Sequence, residues 1–168
     1  MKLIEGMKQL KIIEKKIDHN TRRITEYAAL PSTLKPQFGT DDEQRKQVQS
    51  LIQSNIDLAS EYMNVKRRVD LTNLKTEVRI GTLTLTISEM LMIKRNMGNL
   101  MMSTYLALSD KTAELAVTQN RSKDVPIHVE RYYNETDKHN GIQHWQSLLD
   151  EIEIRLETIN ATVDLVDL

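Results

Sequence analysis

The chain has 168 residues, a formal net charge of −1 and no cysteine. That length allows one domain with a real core, or a compact domain carrying an arm. The near-zero charge gives no global field to draw in nucleic acid or an anionic membrane, and the missing cysteine excludes a disulfide framework, a thiolate nucleophile and a cysteine-ligated zinc site.

The start, "MKLIEGMKQLKIIEKK", places a charge every few residues, so no signal-peptide core is expected there. The most apolar run, "MLMI" at 90–93, is cut off by Lys94 and Arg95 and is too short to span a bilayer. A soluble protein of a reducing, intracellular compartment is the expectation, with no membrane partner. Phenylalanine and tryptophan occur once each, and five glycines and three prolines fall mostly between periodic segments. That is the pattern of long helices joined by short punctuation.

The first helix is predicted over roughly 2–28. Leu3, Leu10, Ile17 and Ile24 recur every seven residues, with Ile13 and Tyr27 at the intervening places. Asn20 takes another such place, where a polar residue lowers stability but can fix register. Pro31, Pro36 and Gly39 mark "ALPSTLKPQFGT" as a loop. Thr40 with Glu43 then forms a capping box, and Asp41 and Asp42 suit the positive helix end. The second helix is predicted to about residue 74, about 50 Å at 1.5 Å per residue. Its seam rows are Val48, Asn55, Tyr62, Val69 and Leu51, Leu58, Val65. Two heptad helices with so short a loop fold back as an antiparallel hairpin.

"TEVRIGTLTLT" alternates with period two around Gly81-Thr82 and predicts a tight β-hairpin, Val78 and Ile80 against Leu83 and Leu85. Thr86 with Glu89 repeats the capping box and opens a third helix to about 117. A polar loop, "TQNRSKDVP", leads to a predicted strand at 126–133, and Asn134 caps a last helix. In that helix Ile142, Leu149, Leu156 and Val163 form one row, and Trp145, Ile152 and Ile159 the other. The tail, "ATVDLVDL", is expected to leave the helix and join the small sheet as a strand at about 162–167.

Few residues offer chemistry. His139 and His144 are five apart, about 140° around a helix, so they do not share an ion as an i, i+4 pair would. His128 alternates with Ile127 and Val129 and is expected on the other side of a strand. Tyr132, Tyr133 and Trp145 could stack a base or a sugar, but Trp145 sits on the seam and reads as packing. The isolated glycines build no phosphate loop or nucleophile elbow. Glu153 and Glu157, four apart, read as a solvated helix face, as does the "KRRV" at 66–69. Met90, Met92, Met97, Met101 and Met102 crowd the third helix and are expected in the core. Charge is uneven: seven basic residues stand in the first helix, while Asp150, Glu151, Glu153, Glu157, Asp164 and Asp167 stand near the end against Arg155. Such ends can pair within one chain or between neighbours, selecting partners more than adding energy.

The order of these signals, a heptad hairpin, then "TNLKTEV", a short hairpin, "TISEML" and "LETINATVDL", resembles the septicolysin-like family of small coiled-coil proteins. The resemblance runs from the first helix to the tail. It departs at "VPIHVERYYNETD", which looks like uncharacterised members carried by tailed phages. It supplies no catalytic residues, and the phage setting implies a virion building block. No long apolar segment or basic amphipathic helix with an aromatic face supports membrane lysis.

The expected fold is mainly α: an antiparallel hairpin arm over 1–75, then two further helices forming a bundle with a small β-sheet over 76–168, in one domain. The expected function is a non-enzymatic assembly protein without cofactor, catalytic site or metal, forming homo-oligomers and contacting other virion proteins in the particle or the bacterial host cytoplasm. Its packing seam is Ile142, Trp145, Leu149, Ile152, Leu156 and Ile159. The alternative is a nucleic-acid-binding coiled-coil module using Lys66, Arg67 and Arg68 with the basic face of the first helix. A third class, an enzyme, would need His128 or His139 in a pocket beside a carboxylate.

Overall fold

The computed structural model describes residues 1–119 and 126–168. The chain is mainly helical with one two-stranded antiparallel sheet. It divides into two compact units, Met1–Thr76 with Thr158–Leu168, and Glu77–Glu157. The last residues of the chain thus belong to the same unit as the hairpin.

In the first unit, α1 (Leu3–Tyr27) and α2 (Asp41–Lys75) form the hairpin. Leu3, Leu10 and Ile13 of α1 and Leu51, Val65 and Val69 of α2 are buried, as the heptad rows require. The seam has a polar layer: the Asn20 side-chain amide donates to Asn55 Oδ1 at 3.0 Å and to Ser54 Oγ at 3.2 Å. A one-heptad slip would set the two Asn against Val48 and Ile13 in one direction, or against Tyr62 and Tyr27 in the other, and lose the Asn–Asn bond, so this pair selects the register.

The capping box at α2 is formed, with Glu43 N donating to Thr40 Oγ1 at 3.2 Å and Thr40 N to Glu43 Oε2 at 2.9 Å. One turn on, buried Gln44 closes the loop. Its amide donates to the Tyr27 carbonyl at 3.0 Å, an otherwise orphaned acceptor near the end of α1, and its Oε1 accepts from Gln37 N at 3.1 Å. Tyr27 and Phe38 meet edge to face at 4.9 Å.

The tail closes this unit. Instead of joining the hairpin sheet, residues after α6 run antiparallel to the chain start, with a single bridge between Lys2 and Asp164. Leu3 N donates to Val163 O at 2.9 Å and Leu165 N to Met1 O at 2.8 Å. The Arg68 guanidinium donates to the Val166 carbonyl at 3.1 Å and to Asp167 Oδ1 at 2.8 Å, while Val166 N donates to the buried Thr72 hydroxyl at 3.0 Å. Leu165 itself is buried. A Cβ on Gly6 would lie 2.7 Å from Leu165 Cδ1 and 3.3 Å from Val69 Cγ2, so a glycine here makes room for the Leu165 side chain. The predicted strand at 162–167 is thus an extended segment with one bridge. Its alternating residues found a free backbone edge at the chain start, not at the sheet.

In the second unit, β1 (Glu77–Ile80) and β2 (Leu83–Thr86) pair with Val78 opposite Leu85 and Ile80 opposite Leu83. Gly81 takes φ +57° while Thr82 does not have positive φ, the pattern of a II′ turn. The second capping box holds, Glu89 N donating to Thr86 Oγ1 at 3.2 Å. These bonds from Thr86 also lower the Glu89 carboxyl below its usual value.

The predicted third helix to about 117 is broken into three. α3 (Ile87–Met92) runs into a π-helical turn at Ile93–Met97, then α4 (Gly98–Leu106), and after a turn α5 (Lys111–Gln119). A π turn carries one extra residue, so the apolar faces on either side of it are out of phase. That corrects the methionine expectation: Met90 is fully buried, but Met92 and Met97 are exposed. The second break has its own local signal, Ser109-Asp110. Ser109 Oγ accepts from Lys111 N at 3.2 Å and the Asp110 carbonyl from Glu114 N at 2.9 Å, which starts a new helix.

Residues 126–133 form no strand, which corrects that prediction. Their polar side chains bind the turn before α5 and supply no ladder partner. Residues 120–125, part of the expected polar loop, lie outside the described residues. α6 (Glu135–Thr162) follows, capped by Asn134, whose Oδ1 accepts from Thr136 N at 2.7 Å. Gly141 in α6 and Gly98 in α4 are close-approach positions: a Cβ at Gly141 would overlap the Tyr105 ring, and one at Gly98 would lie 2.6 Å from the Leu149 side chain.

Candidate functional site

The six predicted seam residues of α6 do not behave alike. Ile152, Leu156 and Ile159 are buried within the chain, whereas Ile142, Trp145 and Leu149 are half-buried. The C-terminal half of that seam is therefore core, closed by the chain itself. Trp145 has the His144 ring edge-on at 6.0 Å.

The basic triplet is largely taken up locally. Lys66 pairs with Asp70 one turn on, and Arg68 is held by the tail at Val166 and Asp167. Of the three, Arg67 alone lacks a described ion pair. Glu153, half of the carboxylate pair on α6, receives Lys94 at 2.7 Å. His128 is exposed beside Glu130 at 3.6 Å, and no group of three or more His, Asp or Glu able to hold a metal occurs among the described residues. No helix of the described residues is long and apolar enough to cross a membrane.

One polar cluster was not singled out from sequence. Arg131 binds the Asp110 carboxylate through Nε at 3.1 Å and through Nη2, and the Tyr133 hydroxyl donates to Asp110 Oδ1 at 2.7 Å. Lys138 stands over the Tyr133 ring at 5.7 Å and donates to the Leu108 carbonyl at 2.6 Å. The donors, Arg131 first and Tyr133 second, hold the Asp110 carboxyl down at about 2. In return, its bond to Asp110 pushes the Tyr133 hydroxyl up to about 12, and the Arg131 bond to Asp110 raises the guanidinium further. Every strong group here is satisfied by another, so the cluster pins the start of α6 to the turn before α5.

This pin predicts a pH dependence. The folded-state value of Asp110 lies below the unfolded one, so its contribution is complete above the unfolded value of 3.8 and is lost as pH falls through about 2. Thermal melts of wild type and Asp110→Asn are expected to differ near neutral pH and to converge in that acid window. A difference independent of pH would remove the Asp110 charge from the account.

The outer faces of the hairpin are the remaining surface of interest. On one flank of α2, Ile52, Ile56 and Met63 are 45%, 57% and 61% exposed. Spaced four and seven apart, they form a second apolar row beside the seam. On the opposite flank lies a groove of about 480 Å³ lined by Ile12, Lys15, Lys16, His19, Asn20, Ser54 and Leu58. Its floor is apolar and its α1 rim basic. Isolated exposed apolar residues are ordinary; a row at helical spacing is not. The heptad pattern held this signal, since these residues are apolar at places outside the two rows that fill the seam.

No protein-family model, curated protein or solved structure matches this chain.

Proposed function

We propose that the chain is a non-enzymatic assembly protein that packs as repeated copies through the outer faces of its helical hairpin. The observation that carries this reading is the exposed row Ile52, Ile56, Met63, which continues the heptad spacing outside a seam already filled. The setting we propose is a tailed-phage particle, as a capsid or tail accessory, present in the virion or the host cytoplasm. The similarity of "TNLKTEV", "TISEML" and "LETINATVDL" to the septicolysin-like family supports that setting. The nucleic-acid reading draws less support, because Lys66 and Arg68 already have carboxylate partners within the chain.

Solution mass by light scattering behind a sizing column tests this. The wild type is expected to be multimeric, or to grow with concentration, and Ile56→Glu with Met63→Glu to reduce the mass without loss of helix content. A wild type monomeric at low and high concentration removes the reading.

A further inference from the structure

We propose that the groove between α1 and α2 receives the outer face of α6 from a second copy of the chain, so that copies join head to tail. This rests on the assembly reading and adds to it a contact on the opposite flank of the hairpin. On α6, Asp150, Ile154 and Glu157 stand at i, i+4 and i+7, so they share one face. Ile154 is 65% exposed, and both acidic residues beside it are exposed. The face is an apolar knob between carboxylates. The groove is its complement: Ile12, 53% exposed, and Leu58 form the floor, with Lys15, Lys16 and His19 along the rim.

The charges on both sides remain available. Among the described residues Lys15, Lys16, Asp150 and Glu157 make no ion pair, in contrast to Lys66, Arg68, Lys94 and Glu153, which do. Asp150 accepts only a neutral amide, from Gln146 at 2.9 Å. In such a contact the apolar knob supplies most of the energy, while the rim charges select partner and orientation. Knob and groove are built from different residues, so the contact pairs unlike surfaces and can repeat from copy to copy. A single-stranded nucleic acid is the lesser fit, because no Phe, Tyr or Trp lines the groove to stack its bases.

The test is a charge exchange read by solution mass. Lys15→Glu/Lys16→Glu reverses the groove, and Asp150→Lys/Glu157→Lys reverses the knob; all four positions are solvent-exposed, so folding is retained. Each variant alone is expected to associate about tenfold more weakly than wild type. An equimolar mixture is expected to regain the wild-type mass, because each variant then offers the other a complementary partner. Should a double variant melt early, Lys16→Glu and Glu157→Lys alone carry the same comparison. Wild-type association that survives both reversals, or a mixture that stays dissociated, overturns the pairing and leaves the assembly reading standing. A wild type that is monomeric throughout overturns both. If that monomer also binds single-stranded DNA and loses binding on Lys15→Glu/Lys16→Glu, the groove belongs to nucleic acid.

Discussion

Ile152→Asp is expected to unfold the unit Glu77–Glu157. Ile152 has no solvent exposure, so the carboxylate would be placed in the core, out of reach of water. An uncompensated buried charge costs several kcal/mol, which is most of the stability of a small domain. Ile152→Ala removes the charge from the question and leaves a cavity, at a cost of about 2–5 kcal/mol. Trp145, on the same helix and two turns away, reports the event directly, since its half-buried ring becomes hydrated as the unit opens. The expected result is a red-shifted emission at neutral pH for Ile152→Asp and a lowered Tm for Ile152→Ala. Native emission and an unchanged melt for Ile152→Asp would show that this position is not core. The same substitution at exposed Ile154 serves as the control and is expected to leave the fold intact.

Removing residues 163–168 is expected to loosen the hairpin at the end opposite its loop. The loss combines the burial of Leu165, about 1.5–3 kcal/mol, with main-chain and side-chain hydrogen bonds worth about 1 kcal/mol each. It also strips cover from Leu3, Val69 and Thr72, which are buried in the intact chain. Hydrogen exchange is the suited readout, because the only tryptophan lies in the other unit. Amides in the first turns of α1 and the last turns of α2 are expected to exchange faster, while those near the polar layer of Asn20 and Asn55 change less. Leu165→Asp is expected to reproduce the effect with the backbone still present. Unchanged protection in both variants would mean that the tail rests on the hairpin without holding it.

The linear pattern announced the burial of Ile152 but not the contact that the tail makes. The tail was expected at the β-hairpin because its residues alternate. Alternation states only that a segment can be extended, not which edge will receive it. The edge it found is the chain start, where Gly6 leaves space for Leu165 and Thr72 turns a hydroxyl to Val166 N. Asp110, Arg131 and Tyr133 lie more than twenty residues apart at their extremes and carry no common spacing. Their meeting follows from the turn before α5, which the sequence signals with Ser109-Asp110 but does not aim. The packing role of Gly141 is equally silent: a mid-helix glycine reads as a weakness until the Tyr105 ring is seen against it.

The sequence by itself determined the helical hairpin, its polar seam position, both capping boxes and the tight β-hairpin at Gly81-Thr82. Each of these depends on residues a few positions apart, or on a seven-residue period that any two facing helices must satisfy. The exposed apolar residues Ile12, Ile52, Ile56 and Met63, which the seam does not use, were also encoded locally. Only the tertiary structure decided that the α6 seam turns core from Ile152 onward, that the tail returns to the chain start, and that the third helix shifts phase at Ile93–Met97. Those outcomes depend on which buried surfaces compete for the same neighbour, and helical or alternating periodicity records the face a residue is on without recording what covers it.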